Sequence, residues 1–133
     1  MSTLEVQFTD DLIVLNVAVA PRGREEPERG FRAILDTGTQ MTAISSRVVA
    51  AIDPDVVGEI QLRVADGSER WADQYWIRIR VPLGLSATTE APAYDTVATQ
   101  IPTPLEGCDV LLGMDIISQW HVTLSGGRCR IEF

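Results

Sequence analysis

The stretch from Phe31 to Ser45, FRAILDTGTQMTAIS, holds the residues whose types and order best fit chemistry. Its centre is Asp36-Thr37-Gly38, preceded by the apolar run Ala33-Ile34-Leu35. A run of this kind suits a buried strand, and an Asp-Thr-Gly directly after it suits a tight turn that holds a carboxylate at the strand's end. Such a carboxylate can act on a water as a general base. Alternatively, Asp36 and Thr37 make local hydrogen bonds to their own turn while Gly38 supplies a positive φ. The tripeptide by itself does not separate the two.

Other chemistries lack members. All eleven basic residues are arginine. Without lysine there is neither Schiff-base chemistry nor the phosphate-cradling lysine of a P-loop. His121 is the only histidine, too few for a metal site or a serine- or cysteine-type triad, so it reads as an ordinary strand residue and no metal or other cofactor is expected. Cys108 and Cys129 read as reduced thiols, because no secretory signal is legible: the first twenty residues carry Glu5, Asp10 and Asp11 where a signal needs a basic start. Leu12 to Ala20, the longest apolar stretch, is interrupted by Asn16 and is too short to span a bilayer. The expectation is a cytoplasmic protein.

The 133 residues suffice for a single domain, 1–133, with a real core. A net charge of -8 disfavours nucleic acid and anionic membrane as partners, since both need a basic face.

The elements that would position Asp36 follow from periodicity. Leu4, Val6 and Phe8 alternate with polar residues, Asp10-Asp11 suits a turn, and Leu12 to Ala20 reads as a strand buried on both faces. Pro21 to Gly30 is a charged loop. Ser45 or Ser46 suits the cap of a short helix over Arg47 to Ile52. Ile60, Leu62 and Val64 alternate into Ala65-Asp66-Gly67-Ser68, the signal of a tight hairpin, and the return strand puts Tyr75, Ile77, Ile79 and Val81 on one face. Leu83 to Ala93 is an irregular connection, and Thr96 to Ile101 suits a further strand. Val110-Leu111-Leu112-Gly113 runs into a short helix over Met114 to Trp120, and two strands, His121 to Leu124 and Arg128 to Phe133, end the chain. The expected count is seven to nine strands and two short helices, a mainly β closed barrel or sandwich-like domain. Ile34 to Gly38 and Val110 to Gly113 echo each other as apolar strands running into a glycine.

In this order, the apolar-apolar-Asp-Thr-Gly strand end, the hairpin of Ile60 to Val81, and Leu111-Leu112-Gly113-Met114-Asp115 with its helix resemble the retropepsin-like aspartic proteases. That family includes retroviral proteases and the related domain of ubiquitin-shuttle proteins; the resemblance runs from Leu12 to Phe133. It implies a retropepsin-like closed β-barrel and an aspartic endopeptidase that acts on a peptide or protein substrate. Two carboxylates must face one water, yet the chain has one Asp-Thr-Gly: Asp66-Gly67 lacks the middle residue and Asp95-Thr96 is followed by Val97. The resemblance therefore implies a homodimer in which two Asp36 residues meet at the two-fold axis. Repulsion between two charges about 3 Å apart, roughly 5 kcal/mol at an effective dielectric near 20, would keep one proton on the pair.

By the same resemblance, Thr37 would hydrogen-bond across the dimer axis and Gly38 would permit close approach. Thr39, alanine in many retroviral members, would donate its hydroxyl to an outer oxygen of Asp36. The flap tip Ala65, Asp66, Gly67 and Ser68 would cover the substrate, with Trp71 as a packing residue or a further contact. Gln40 and Met41 stand where some members carry acidic residues. Two rivals compete with the enzyme: a retropepsin-fold module that dimerises or binds peptides without cleaving them, and a monomeric β-barrel binding domain. A phospho-accepting aspartate loop of the haloacid-dehalogenase type is excluded by Gly38 and by the missing lysine.

Overall fold

The computed structural model describes residues 2–63, 66–83, 90–101, 105 and 107–133. The chain order is β1 (Thr3–Thr9), β2 (Leu12–Pro21), β3 (Arg29–Leu35), β4 (Ala43–Ile44), α1 (Ser46–Ile52), β5 (Val56–Arg63) and β6 (Glu69–Arg80). Then follow β7 (Ala93–Gln100), β8 (Val110–Leu112), α2 (Met114–Ile117), β9 (His121–Ser125) and β10 (Arg128–Glu132).

The strands pair in the order β5-β6-β7-β4-β8-β3-β2-β1-β10-β9, and an added β6–β2 pairing closes β6, β7, β4, β8, β3 and β2 into a six-stranded barrel. Closure leaves only β5 and β9 as edge strands among the described residues. The interior is aliphatic: Val17, Val19, Ile44, Ile77, Ile79 and Leu112 are all essentially inaccessible. Their β-branched predominance suits a pleated surface buried on its inner face. Tyr75, Ile77, Ile79 and Val81 are buried while Trp76, Arg78 and Arg80 are not, as the alternation of that segment requires.

Local chemistry fixes the connections. Asp10 and Asp11 both take positive φ, 49° and 62°, and join β1 to β2 as a two-residue hairpin. Ser45 caps α1: its hydroxyl accepts from the Val48 N–H and donates to the Asp109 carboxylate at 2.8 Å. At the other end of the chain β1 pairs with β10, and β10 with β9, so both terminal strands find partners within the subunit.

Several expectations need correction. Ten strands are present among the described residues, because the two-residue β4 is too short to carry a period; β5 also starts earlier than its alternation. The C-terminal helix stops at Ile117 and not at Trp120. The last described register pair of the β5–β6 hairpin is Arg63 with Glu69, and Val64 and Ala65 of its expected tip lie outside the described residues. Both cysteines are free and buried, and burial raises each thiol pKa.

Candidate active site

Asp36 follows directly on β3. Ala33 and Leu35 anchor that strand in the core, and β8 lies parallel beside it with Ile34 opposite Leu111 and Leu35 opposite Leu112. The two segments that echo each other in sequence are thus hydrogen-bonded neighbours. The pairing continues one residue beyond β3, where the Asp36 N–H donates to the Leu112 carbonyl at 3.0 Å. The backbone bearing the carboxylate is thereby tied to the barrel wall.

The carboxylate is half-buried, with Thr37 and Gly38 exposed beside it. Its Oδ1 accepts the Gly38 N–H at 2.8 Å, and a Cβ at Gly38 would lie 3.1 Å from that same oxygen. Glycine there leaves the carboxylate open toward solvent. One carboxylate oxygen is thus oriented by its own turn. The Thr39 hydroxyl does not serve Asp36 as expected: it donates to the Met41 carbonyl at 3.2 Å. A short polar side chain two residues before a free carbonyl closes this local bond more readily than one reaching back.

What holds the loop in place was invisible in the sequence. Met114 N–H donates to the Thr39 carbonyl at 2.9 Å and Asp115 N–H to the Gln40 carbonyl at 3.0 Å. Asp115 then accepts from the Thr42 hydroxyl at 2.8 Å, from the Thr42 N–H at 3.2 Å and from the Thr96 hydroxyl on β7 at 2.6 Å. Thr42, fully buried, also accepts the Gly113 N–H at 3.2 Å. Gly113 has no room for a side chain, since a Cβ would stand 2.7 Å from the Met41 carbonyl carbon. Thr42, Thr96 and Asp115 are far apart in the chain and share no motif spacing. The only available signal was the Asp after Gly113-Met114.

The hairpin of β5 and β6 supplies the remaining candidates. Asp66 Oδ1 accepts from the Ser68 hydroxyl at 2.6 Å and the Ser68 N–H at 2.8 Å, and these bonds, the hydroxyl first, hold the Asp66 carboxyl below its ordinary pKa. Gly67, at φ 86°, makes the turn. Ala65 lies outside the described residues. Among the described residues no side-chain hydrogen bond joins Asp66, Gly67 or Ser68 to the loop of residues 36–42. Trp71 is 68% exposed on β6 and lines an open cleft with Leu62, Asp73, Gln100 and Ile101. His121 is an exposed strand residue.

No protein-family model matches this sequence, and no curated protein matches it. Solved structures do. A retropepsin-like aspartic protease from Rickettsia conorii superposes with a TM-score of 0.67 at 11% identity, over 98% of this chain and 90% of that one. The foamy viral protease-reverse transcriptase, in complex with an RNA/DNA hybrid, superposes with a TM-score of 0.55 at 17% identity, over 85% of this chain but 13% of that one. At such identities the likeness is one of fold. A closed barrel with two short helices, an Asp-Thr-Gly loop leaving β3 and a parallel β8 braced against it make this chain a bearer of the retropepsin-like fold.

Proposed function

We propose that the protein is an aspartic endopeptidase that works as a homodimer, with Asp36 of each subunit facing one water. The observation that carries this reading is the placement of the only Asp-Thr-Gly at the β3 end of a retropepsin-like barrel, half-exposed and tethered by main-chain bonds on both sides. One subunit supplies one such carboxylate, so the dimer is a requirement of the chemistry.

In the dimer the two carboxylates share one proton, because like charges in contact resist joint ionisation. The ionised one takes a proton from the water as its oxygen attacks the peptide carbonyl, and the protonated one donates to the carbonyl oxygen. Collapse of the tetrahedral intermediate breaks the C–N bond as the nitrogen receives a proton, leaving a carboxylic acid and an amine. Thr37 would bond across the axis, and Gly38 keeps the approach to Asp36 clear. The substrate would lie extended below the β5–β6 hairpin, with Thr39 and the tip residues Asp66, Gly67 and Ser68 beside it, held by strand-like main-chain bonds.

The test is cleavage of a denatured-protein pool across acidic to neutral pH by wild type and Asp36→Asn. Loss of about a thousandfold or more in the variant, with an unchanged circular dichroism spectrum, supports the reading. Equal cleavage by both would refute it. A dimer without turnover at any pH would instead favour a peptide-binding module.

A further inference from the structure

We infer that a groove on the barrel wall between α1 and the β2–β3 pair binds acidic, partly apolar peptide segments. This inference is independent of the proposed proteolysis.

Most arginines of the molecule pair with a carboxylate. Arg22 and Arg78 both contact Asp95 at 2.8 Å, Arg80 contacts Glu28 at 2.8 Å, and Arg63 and Arg130 each have a glutamate within 4 Å. On a chain with a net charge of -8 such partners are plentiful. Yet Arg29 and Arg32, both exposed on β3, have no carboxylate partner among the described residues, and both line the groove. Arg47 of α1 lines it too, 82% exposed and only loosely opposed to Asp109 at 3.9 Å. Among the described lining residues Asp109 is the sole acid, and its carboxylate is already engaged by the Ser45 hydroxyl at 2.8 Å. Among the described lining residues, three guanidinium groups thus stand against one occupied carboxylate, a positive balance on an acidic protein.

Shape narrows the ligand. The groove has a volume of about 880 Å³, and its accessible apolar lining includes Phe31, Ala51 and Pro82. An apolar floor with cations spread along it suits a chain that alternates apolar and acidic side chains, bound by charge-assisted bonds to the guanidinium forks.

The experiment uses the full chain carrying Asp36→Asn, so that no probe is consumed. Fluorescence anisotropy follows a labelled peptide of Phe-Glu repeats and its Phe-Gln twin. The expected result is binding of the Phe-Glu peptide that weakens with salt, an affinity about tenfold lower in Arg29→Ala/Arg32→Ala, and unchanged affinity in Arg128→Ala. Arg128 is likewise exposed and without a carboxylate partner among the described residues, but it lies on β10 outside the groove. The inference is overturned by no binding of the Phe-Glu peptide at millimolar concentration, by equal binding of the Phe-Gln twin, or by affinity that survives the double substitution or falls equally in Arg128→Ala. Each substitution is at an exposed side chain, so folding is not at stake.

Discussion

At the scale of single residues, the side chain proposed to react is distinct from those that hold its loop. Replacement of Asp36, the proposed reacting group, by asparagine should leave stability nearly unchanged, since the Gly38 N–H still finds an oxygen acceptor at the same position. Asp115 is a positioning residue. Asp115→Ala leaves the Thr42 N–H and two threonine hydroxyls without their acceptor, at a cost of about 2–4 kcal/mol, while Thr96→Val removes one bond at about 1 kcal/mol. Urea denaturation of the two variants checks the ranking; equal stability for both would contradict it. Gly113→Ala places a methyl group against the Met41 backbone at 2.7 Å, which cannot rotate away as a side chain would. A loss of about 1–3 kcal/mol in stability is expected from such overpacking.

At the scale of elements, the acid–base pairs that flank β6 and β7 predict a pH dependence. Hydrogen bonds from Arg78, then from Arg22, hold the Asp95 carboxyl below its ordinary 3.8. A carboxyl depressed in the folded state binds its proton more readily when unfolded. Its contribution to stability is therefore complete above the unfolded value and is lost as pH falls through the folded one. Asp95→Asn should flatten the acid limb of a stability–pH profile below about pH 4 and leave its shape near neutrality unaltered. An unaltered acid limb would contradict the assignment. Gly67 sits at φ 86° in the hairpin loop, so Gly67→Ala should strain that loop. If the hairpin covers substrate, the variant should raise KM more than it lowers kcat in a cleavage assay.

The elements were legible in the sequence to the extent that one side of each was buried. β1, β2 and β6 announce themselves by alternation or by aliphatic runs, and the Ser45 cap by its place before α1. β4 stayed hidden because two residues cannot show a period, although it is the strand that joins β8 to β7. Asp36, Thr37 and Gly38 were readable as a contiguous motif. The brace of Thr42, Thr96 and Asp115 was not, because it consists of long-range hydrogen bonds between residues of ordinary type. The Thr39 hydroxyl went to the nearest carbonyl, a local competition that spacing alone does not decide.

At the scale of the whole molecule, the proposed site requires a second subunit. β1 and β10 pair with each other inside the subunit, so a dimer of this structure must use surfaces other than unfilled terminal strands, or exchange those strands between subunits. No helix among the described residues is long and apolar enough to cross a membrane. The acidic net charge coexists with a groove lined by Arg29, Arg32 and Arg47.

The central claim is that two Asp36 residues, one from each subunit, make one active site. Its most direct measurement holds wild type constant and adds equal Asp36→Asn protein under conditions of subunit exchange, reading peptide cleavage. Random pairing places half of the wild-type subunits in mixed dimers, so activity should fall to about half, and further as more variant is added. Activity that stays constant while exchange is verified would mean that each subunit acts alone, and the shared site would be wrong.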